Sequence, residues 1–308
     1  MEDFLPDASK VVFKEKFVER YSKLTDFDEF KKYSLTYIRK AIRVNTLKIS
    51  VQKLKSRLSN WKLEQVPWCS EGFWIKGERW DIGNILEHQL GYFYVQEAAS
   101  MIPPVVLDPK EYEIILDRAA APGSKTTQIA QYMKNTGLLI ANDVDGKRLK
   151  ILGANLSKMG VLNAVITKMQ QIKGIEFDRI LVDAPCSGTG TIMKSLKTVN
   201  MWNPKSISKL SRLQKMLVAS SFEVLKVGGV MVYSTCTMEP QEDEGVVDFL
   251  IRKFPNAKLE KIYLNIKKSS PITEFEGEIY SDEVNKCLRI WPQDNNTEGF
   301  FVAKIKKT

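Results

Sequence analysis

A chain of 308 residues with 44% hydrophobic and 27% charged side chains has material for one large and one small domain with substantial cores. No apolar run approaches the ~20 residues of a membrane helix, and the acidic start MEDFLPDASK lacks the basic region and apolar stretch of a secretion signal, so a cytoplasmic protein with reduced cysteines is expected. The formal net charge of +9 points towards a polyanionic partner, and it is unevenly spread: residues 140–215 hold 13 Lys+Arg against 5 Asp+Glu, whereas residues 1–110 hold 18 against 15.

In chain order, helical patterning up to about Tyr37 gives way to the strand-like AIRVNTLKIS, the helical VQKLKSRLSN and a short strand in GFWIKG. This reads as a small α/β accessory domain, with a boundary between Pro103-Pro104 and Lys110. From Glu111 onward short apolar runs alternate with helical patterns, the signature of βαβ units and a parallel sheet. YEIILD, GLLIAND, NAVIT, RILVD and VMVYS are the expected strands. Helices are expected over Ser124 to Asn135, through Leu149, Leu152, Leu156 and Met159, over 206–225, and from Glu242, Asp243 and Glu244 to Phe254, where the acids suit a first helical turn.

Ligands of such sheets bind beyond the strand ends. The first strand runs into LDRAAAPGSKTTQIA, whose small residues allow close backbone approach and whose helix start offers free N–H groups. It is neither a Walker A loop nor GxGxxG. Asp143, 18 residues past Lys125 at the end of the second strand, is placed to grip a ribose, so the pair suits a nucleoside cofactor; a plain tight turn is the blander reading.

The four cysteines form no CxxC pair and His88 is the sole histidine, so neither a structural zinc site nor a Ser-His-Asp mechanism is expected. Two of the cysteines, Cys186 in DAPCSG and Cys236 in YSTCTM, follow strand ends. Carbon 5 of cytosine is a poor nucleophile until a thiolate adds at C6, a carboxyl group assists at N3, and a second thiol helps undo the adduct. Asp183, Cys186 and Cys236 meet that list, with Lys125 as a nearby cation. Buried inert cysteines are the competing reading.

AAAPGSKTTQIA, IANDVDGKRL, DAPCSGTG and YSTCTMEPQEDE, in this order, with GYFYVQEAASMIPP before them and RIWPQDNNTEGFFVAKIKK after, resemble the NOL/NOP/SUN (RsmB-like) family of RNA cytosine-5 methyltransferases, in particular its compact archaeal tRNA type. The likeness covers about residues 85–308, with a weaker match in IRVNTLK. It implies a Rossmann-like class I methyltransferase α/β sheet over 109–308 and an RRM-like, RNA-binding accessory domain over 1–108. It further implies S-adenosylmethionine as cofactor, held by Ala119, Ala120, Ala121, Pro122, Gly123, Ser124, Lys125, Asp143, Arg148, Gln170 and Asp183. By the same resemblance Cys236 of the TC motif is the nucleophile, Cys186 of the PC motif serves product release, and Asp183 and Lys125 hold the target cytosine. The implied partner is RNA, tRNA before ribosomal RNA, with no membrane, no metal and a monomeric chain.

Arg118 and Gln170 depart from the family pattern, the latter near where an aspartate commonly holds the adenine amino group, and both bear on cofactor affinity. They motivate the alternative of an RNA-binding protein without catalysis, while the lack of a large target-recognition insert disfavours a DNA enzyme. Arg39, Lys40, Arg43 and Lys48 are candidate phosphate contacts. Trp61, Trp68, Trp74 and Trp80 could stack on bases but suit a core better.

Overall fold

The computed structural model describes residues 4–77 and 81–308, so Trp80 lies outside the described residues. The chain separates into two compact units: unit 1 comprises Met1–Arg39, Ala184–Ala219 and Ser234–Ala303, and unit 2 comprises Lys40–Asp183, Ser220–Tyr233 and Lys304–Thr308.

Unit 2 opens with a four-stranded sheet of β1 (Ala41–Val44), β2 (Lys62–Gln65), β3 (Gly72–Lys76) and β4 (Phe93–Val95), in the order β2-β3-β1-β4 with antiparallel pairing. Ile42, Val44, Phe73, Ile75 and Phe93 pack on Leu54 and Leu58, which come from the helix Val51–Arg57 and its C-cap. The strand expected over AIRVNTLKIS stops at Val44 because Asn45 turns the chain: its Nδ2 donates to the carbonyls of Gly91 and Met159, and its Oδ1 accepts from Leu47 N.

The larger sheet of unit 2 holds β5 (Ile114–Asp117), β6 (Leu138–Asn142), β7 (Ala164–Thr167), β8 (Phe177–Asp183) and the part of β9 (Leu225–Thr235) up to Tyr233. Its order is β9-β8-β5-β6-β7, and β5 runs parallel to both β6 and β8, as β6 does to β7. Residues such as Ile115, Leu116, Leu139, Ile180 and Leu181 are buried because helices cover a parallel sheet on both faces, which is why these strands read as continuous apolar runs. The helix expected to reach Asn135 ends at Tyr132, since Lys134, Asn135 and Gly137 all adopt positive φ and reverse the chain into β6.

Unit 1 contains β10 (Ala257–Glu260), the hairpin β11 (Glu274–Phe275) and β12 (Glu278–Ile279), β13 (Leu288–Ile290) and the first half of β14 (Phe300–Lys307), against which β13 pairs antiparallel. The tail of β14 belongs to unit 2, where Lys307 Nζ donates to the carbonyls of Phe222, Glu223 and Leu225. The aromatic core of unit 1 stacks Phe17 on Tyr21 at 4.1 Å between ring centroids, with Phe30, Trp202 and Trp291 edge-on or offset around them.

Candidate active site

The loop after β5 comprises Ala119 to Gly123 and leads into the helix Ser124–Tyr132. Gly123 has φ 108°, and a Cβ there would come within 2.9 Å of Leu152 Cδ1, so only glycine lets the loop pass so close to the next helix. No side chain caps the helix start, which leaves its first N–H groups unclaimed by a cap. Asp143, one residue past β6 and almost fully buried, accepts from Ala121 N at 3.2 Å and Asp145 N at 3.0 Å. Asp145 in turn caps the helix Gly146–Met159 by accepting from Lys147 N and Arg148 N. From that helix the half-exposed Arg148 returns its guanidinium to the Ala121 carbonyl and lies 3.5 Å from Asp143. A strand-end carboxylate tied to a small-residue loop is a donor set that fits a ribose and a charged amino-acid moiety, so these residues fit the expected cofactor.

Also in unit 2, Lys125 Nζ donates to Asp183 Oδ2 at 2.7 Å, joining the first turn of the loop helix to the end of β8. Both side chains are only partly buried. Below the loop, Asp117 accepts from Thr126 Oγ1 at 2.7 Å, and burial pushes its carboxyl up to about 7.

The two thiols lie together in unit 1. Cys186 Sγ and Cys236 Sγ are 3.3 Å apart, a hydrogen-bonding rather than a covalent separation. The hydrogen bond to Cys236, reinforced by burial, raises the Cys186 thiol well above its ordinary range. Either sulfur can be the donor of this pair. The two loops are stitched by Gly190 N donating to the Cys236 carbonyl at 3.0 Å, by Ser187 and Thr189 hydroxyls on Thr237 Oγ1, and by Met238 N on Thr189 Oγ1. A Cβ on Gly190 would approach the Gly299 and Cys236 carbonyl oxygens to 2.3 and 2.8 Å, so this crossing admits no side chain.

Several expectations are corrected by the geometry. Arg43 is fully buried: it donates to Gln96 Oε1, the Ser124 carbonyl and Thr127 Oγ1, which holds the loop helix onto the four-stranded sheet and removes it from any phosphate. Lys48 donates to the Leu90 and Lys158 carbonyls, and Arg39 to the Asn295 carbonyl. Arg118 is buried and anchors the backbone of Met169 and Gln170 through their carbonyls, so the departure from the family pattern has a structural use; the Gln170 side chain itself is exposed. Trp68 and Trp74 are core residues, as the sequence favours, edge-on to one another, while Trp61 is partly buried. Asp243 and Glu244 do stand at the start of the helix Glu244–Lys253, as expected, but with Glu242 they are fully buried, and the two of them surround Arg289. Gln214 was missed, although a polar residue four positions from both Leu210 and Val218 on a helical apolar stripe was a visible signal. Among the described residues no group of three or more His, Cys, Asp or Glu could hold a metal, and no helix is long and apolar enough to cross a membrane.

Comparison with known proteins places these features. The family profile of the 16S rRNA methyltransferase RsmB/F matches residues 104–306, and that of the N-terminal domain of 16S rRNA methyltransferase RsmF matches residues 13–98. The chain is 50% identical over 311 residues to a tRNA (cytosine(49)-C(5))-methyltransferase of Pyrococcus abyssi, covering 99% of each chain. It is 42% identical to ribosomal RNA small subunit methyltransferase F of Shewanella piezotolerans over 91% of this chain, and it spans 60% of that relative's length. Among solved structures it superposes on NSun6 from Pyrococcus horikoshii, determined with the S-adenosylmethionine analogue SFG, with a TM-score of 0.84 at 28% identity, covering 96% of this chain and 99% of the other.

Proposed function

The chain belongs to the RsmB/F family of S-adenosylmethionine-dependent RNA cytosine-5 methyltransferases, and on that premise we propose that its substrate is tRNA. The observation that carries the choice of tRNA is the end-to-end match to the archaeal tRNA enzyme, against ribosomal RNA relatives of which the chain spans only about three-fifths. Bisulfite sequencing after incubation with the cofactor tests it: retained cytosines are expected in tRNA, and retention in 16S ribosomal RNA alone overturns the assignment. The proposal includes a monomeric chain with an accessory RNA-binding domain over 1–108 and a catalytic domain over 109–308, a division supported by the two profile matches lying on either side of residue 100.

The residue roles are part of the same proposal. The 119–125 loop, Asp143 and Arg148 hold S-adenosylmethionine, which when bound supplies an electrophilic methyl group. Lys125 and Asp183 hold and polarise the cytosine, with the Asp183 carboxyl directed to N3. The Cys236 thiolate adds to C6, and the electron pair of the C5–C6 double bond makes C5 nucleophilic. Cys186, whose sulfur lies 3.3 Å from Cys236 Sγ, is the general base of the second half and acts as its thiolate. Cys186 then takes the C5 proton; that C–H pair restores the C5–C6 double bond, and the C6–S pair returns to Cys236.

Two expected results bear on the binding half. Asp143→Ala removes a charge-assisted hydrogen-bond acceptor worth about 1.5–3 kcal/mol and weakens cofactor binding roughly ten- to a hundredfold; unchanged affinity by calorimetry rejects the ribose assignment. RNA affinity falls steeply with salt. With exposed cations such as Lys147, Lys150, Lys168 and Lys173 contributing, and Arg43 excluded, about five neutralised phosphates give a slope of log K on log salt near −4 to −5. A flat response in filter binding assigns those lysines to solubility alone.

A further inference from the structure

Cys186 is gripped on both sides by a pair of residues that have no place in the mechanism so far. Gln214, on the helix Pro204–Glu223, donates from Nε2 to the Pro185 carbonyl at 2.9 Å and to Glu242 Oε2 at 2.8 Å. The same Glu242 oxygen accepts the Ser187 N–H at 3.0 Å. The peptide before Cys186 and the peptide after it are thus tied to one amide–carboxylate pair. Both side chains are completely buried. Burial holds the Glu242 carboxyl up at about 7, and a buried carboxyl is costly where an apolar pair would pack as well. Cys236 is held by different bonds, through its own carbonyl and Gly190 N.

We propose that Gln214 and Glu242 are positioning residues for Cys186, fixing the backbone on either side of the thiol so that it meets the C5 proton during elimination. This deepens the release role assigned to Cys186 and rests on it. With both flanking peptides fixed, χ1 is the one heavy-atom torsion left to the thiol, and a misplacement of about 1 Å at a reacting group costs on the order of a hundredfold in rate. The pair acts on release rather than on attack, because attack belongs to Cys236.

The test is a single-turnover reaction of the full chain with tRNA and S-adenosylmethionine, read as RNA–protein adduct on denaturing gels beside thermal unfolding and cofactor binding of each variant. Gln214→Ala and Glu242→Ala are expected to form adduct at near wild-type rate and to resolve it ten- to a hundredfold more slowly. Glu242→Gln keeps an oxygen to accept the Ser187 N–H and is expected to resolve its adduct at closer to the wild-type rate. If Gln214→Ala does not fold, Gln214→Leu, closer in volume, and Glu242→Ala carry the same comparison. Adduct in Cys186→Ala but none in these variants, with attack and release slowed together, overturns the inference and makes the pair a packing feature. No adduct in Cys186→Ala overturns the release role itself, and the inference with it.

Discussion

Cys236→Ala is expected to abolish both methyl transfer and the covalent RNA adduct, whereas Cys186→Ala is expected still to attack and methylate but to accumulate as an adduct that survives denaturing electrophoresis. The first loss is expected to be on the order of 10⁴-fold or more, because without the thiolate no nucleophilic C5 forms. The order rests on the family resemblance, which implies the TC-motif cysteine, Cys236, as the nucleophile and the PC-motif cysteine, Cys186, in product release. Geometry alone is symmetric, since either sulfur sits 3.3 Å from the other on a loop that follows a strand. The mutants break that symmetry by whether the C6–S bond never forms or never breaks. Adduct in Cys236→Ala and none in Cys186→Ala reverses the roles, and wild-type activity in both makes the cysteines packing residues.

The parts of this arrangement that read directly from the sequence are those fixed by short-range rules. Asp143 and Asp183 stand out because a buried parallel strand is a continuous apolar run and the first acid after it marks the strand end. The 119–123 loop stands out because small residues and a glycine between strand and helix have few other uses. Arg43 reads wrongly from the sequence for the opposite reason. Its charge resembles a phosphate contact, and its burial depends on Gln96, Thr127 and Ser124, which come from 53 to 84 positions away. The helix start at Asp243 and Glu244 is legible, but their burial is not, because it depends on Arg289, which arrives from β13, a strand of three residues too short to show alternation. The last strand, Phe300–Lys307, was visible only as a family motif, because β14 alternates poorly and is buried through Ala303.

That buried charge cluster gives the largest stability effect expected in the protein. Arg289 donates from Nε to Glu244 Oε1 at 2.8 Å, from Nη2 to Glu244 Oε2 at 2.6 Å and Asp243 Oδ2 at 3.0 Å, and from Nη1 to the Met238 carbonyl at 3.2 Å, with all three charged side chains wholly buried. Burial drives the Asp243 carboxyl well above its ordinary range even against the neighbouring guanidinium, a sign of how costly that environment is for an anion. Arg289→Met keeps much of the volume and removes the cation, leaving two carboxylates in a dry core. A loss of about 3–5 kcal/mol is expected. The variant can relieve the loss only by binding protons, so its folded-state carboxyls titrate above their unfolded values near 4. The folded state then binds more protons than the unfolded one, and stability falls as pH rises through that window. Denaturant unfolding should therefore show a larger deficit at pH 8 than at pH 5. Adding Asp243→Asn and Glu244→Gln to Arg289→Met should recover part of the loss and flatten the pH dependence. A deficit below about 1 kcal/mol, or one equal at both pH values, would show that the ion cluster does not hold this core together.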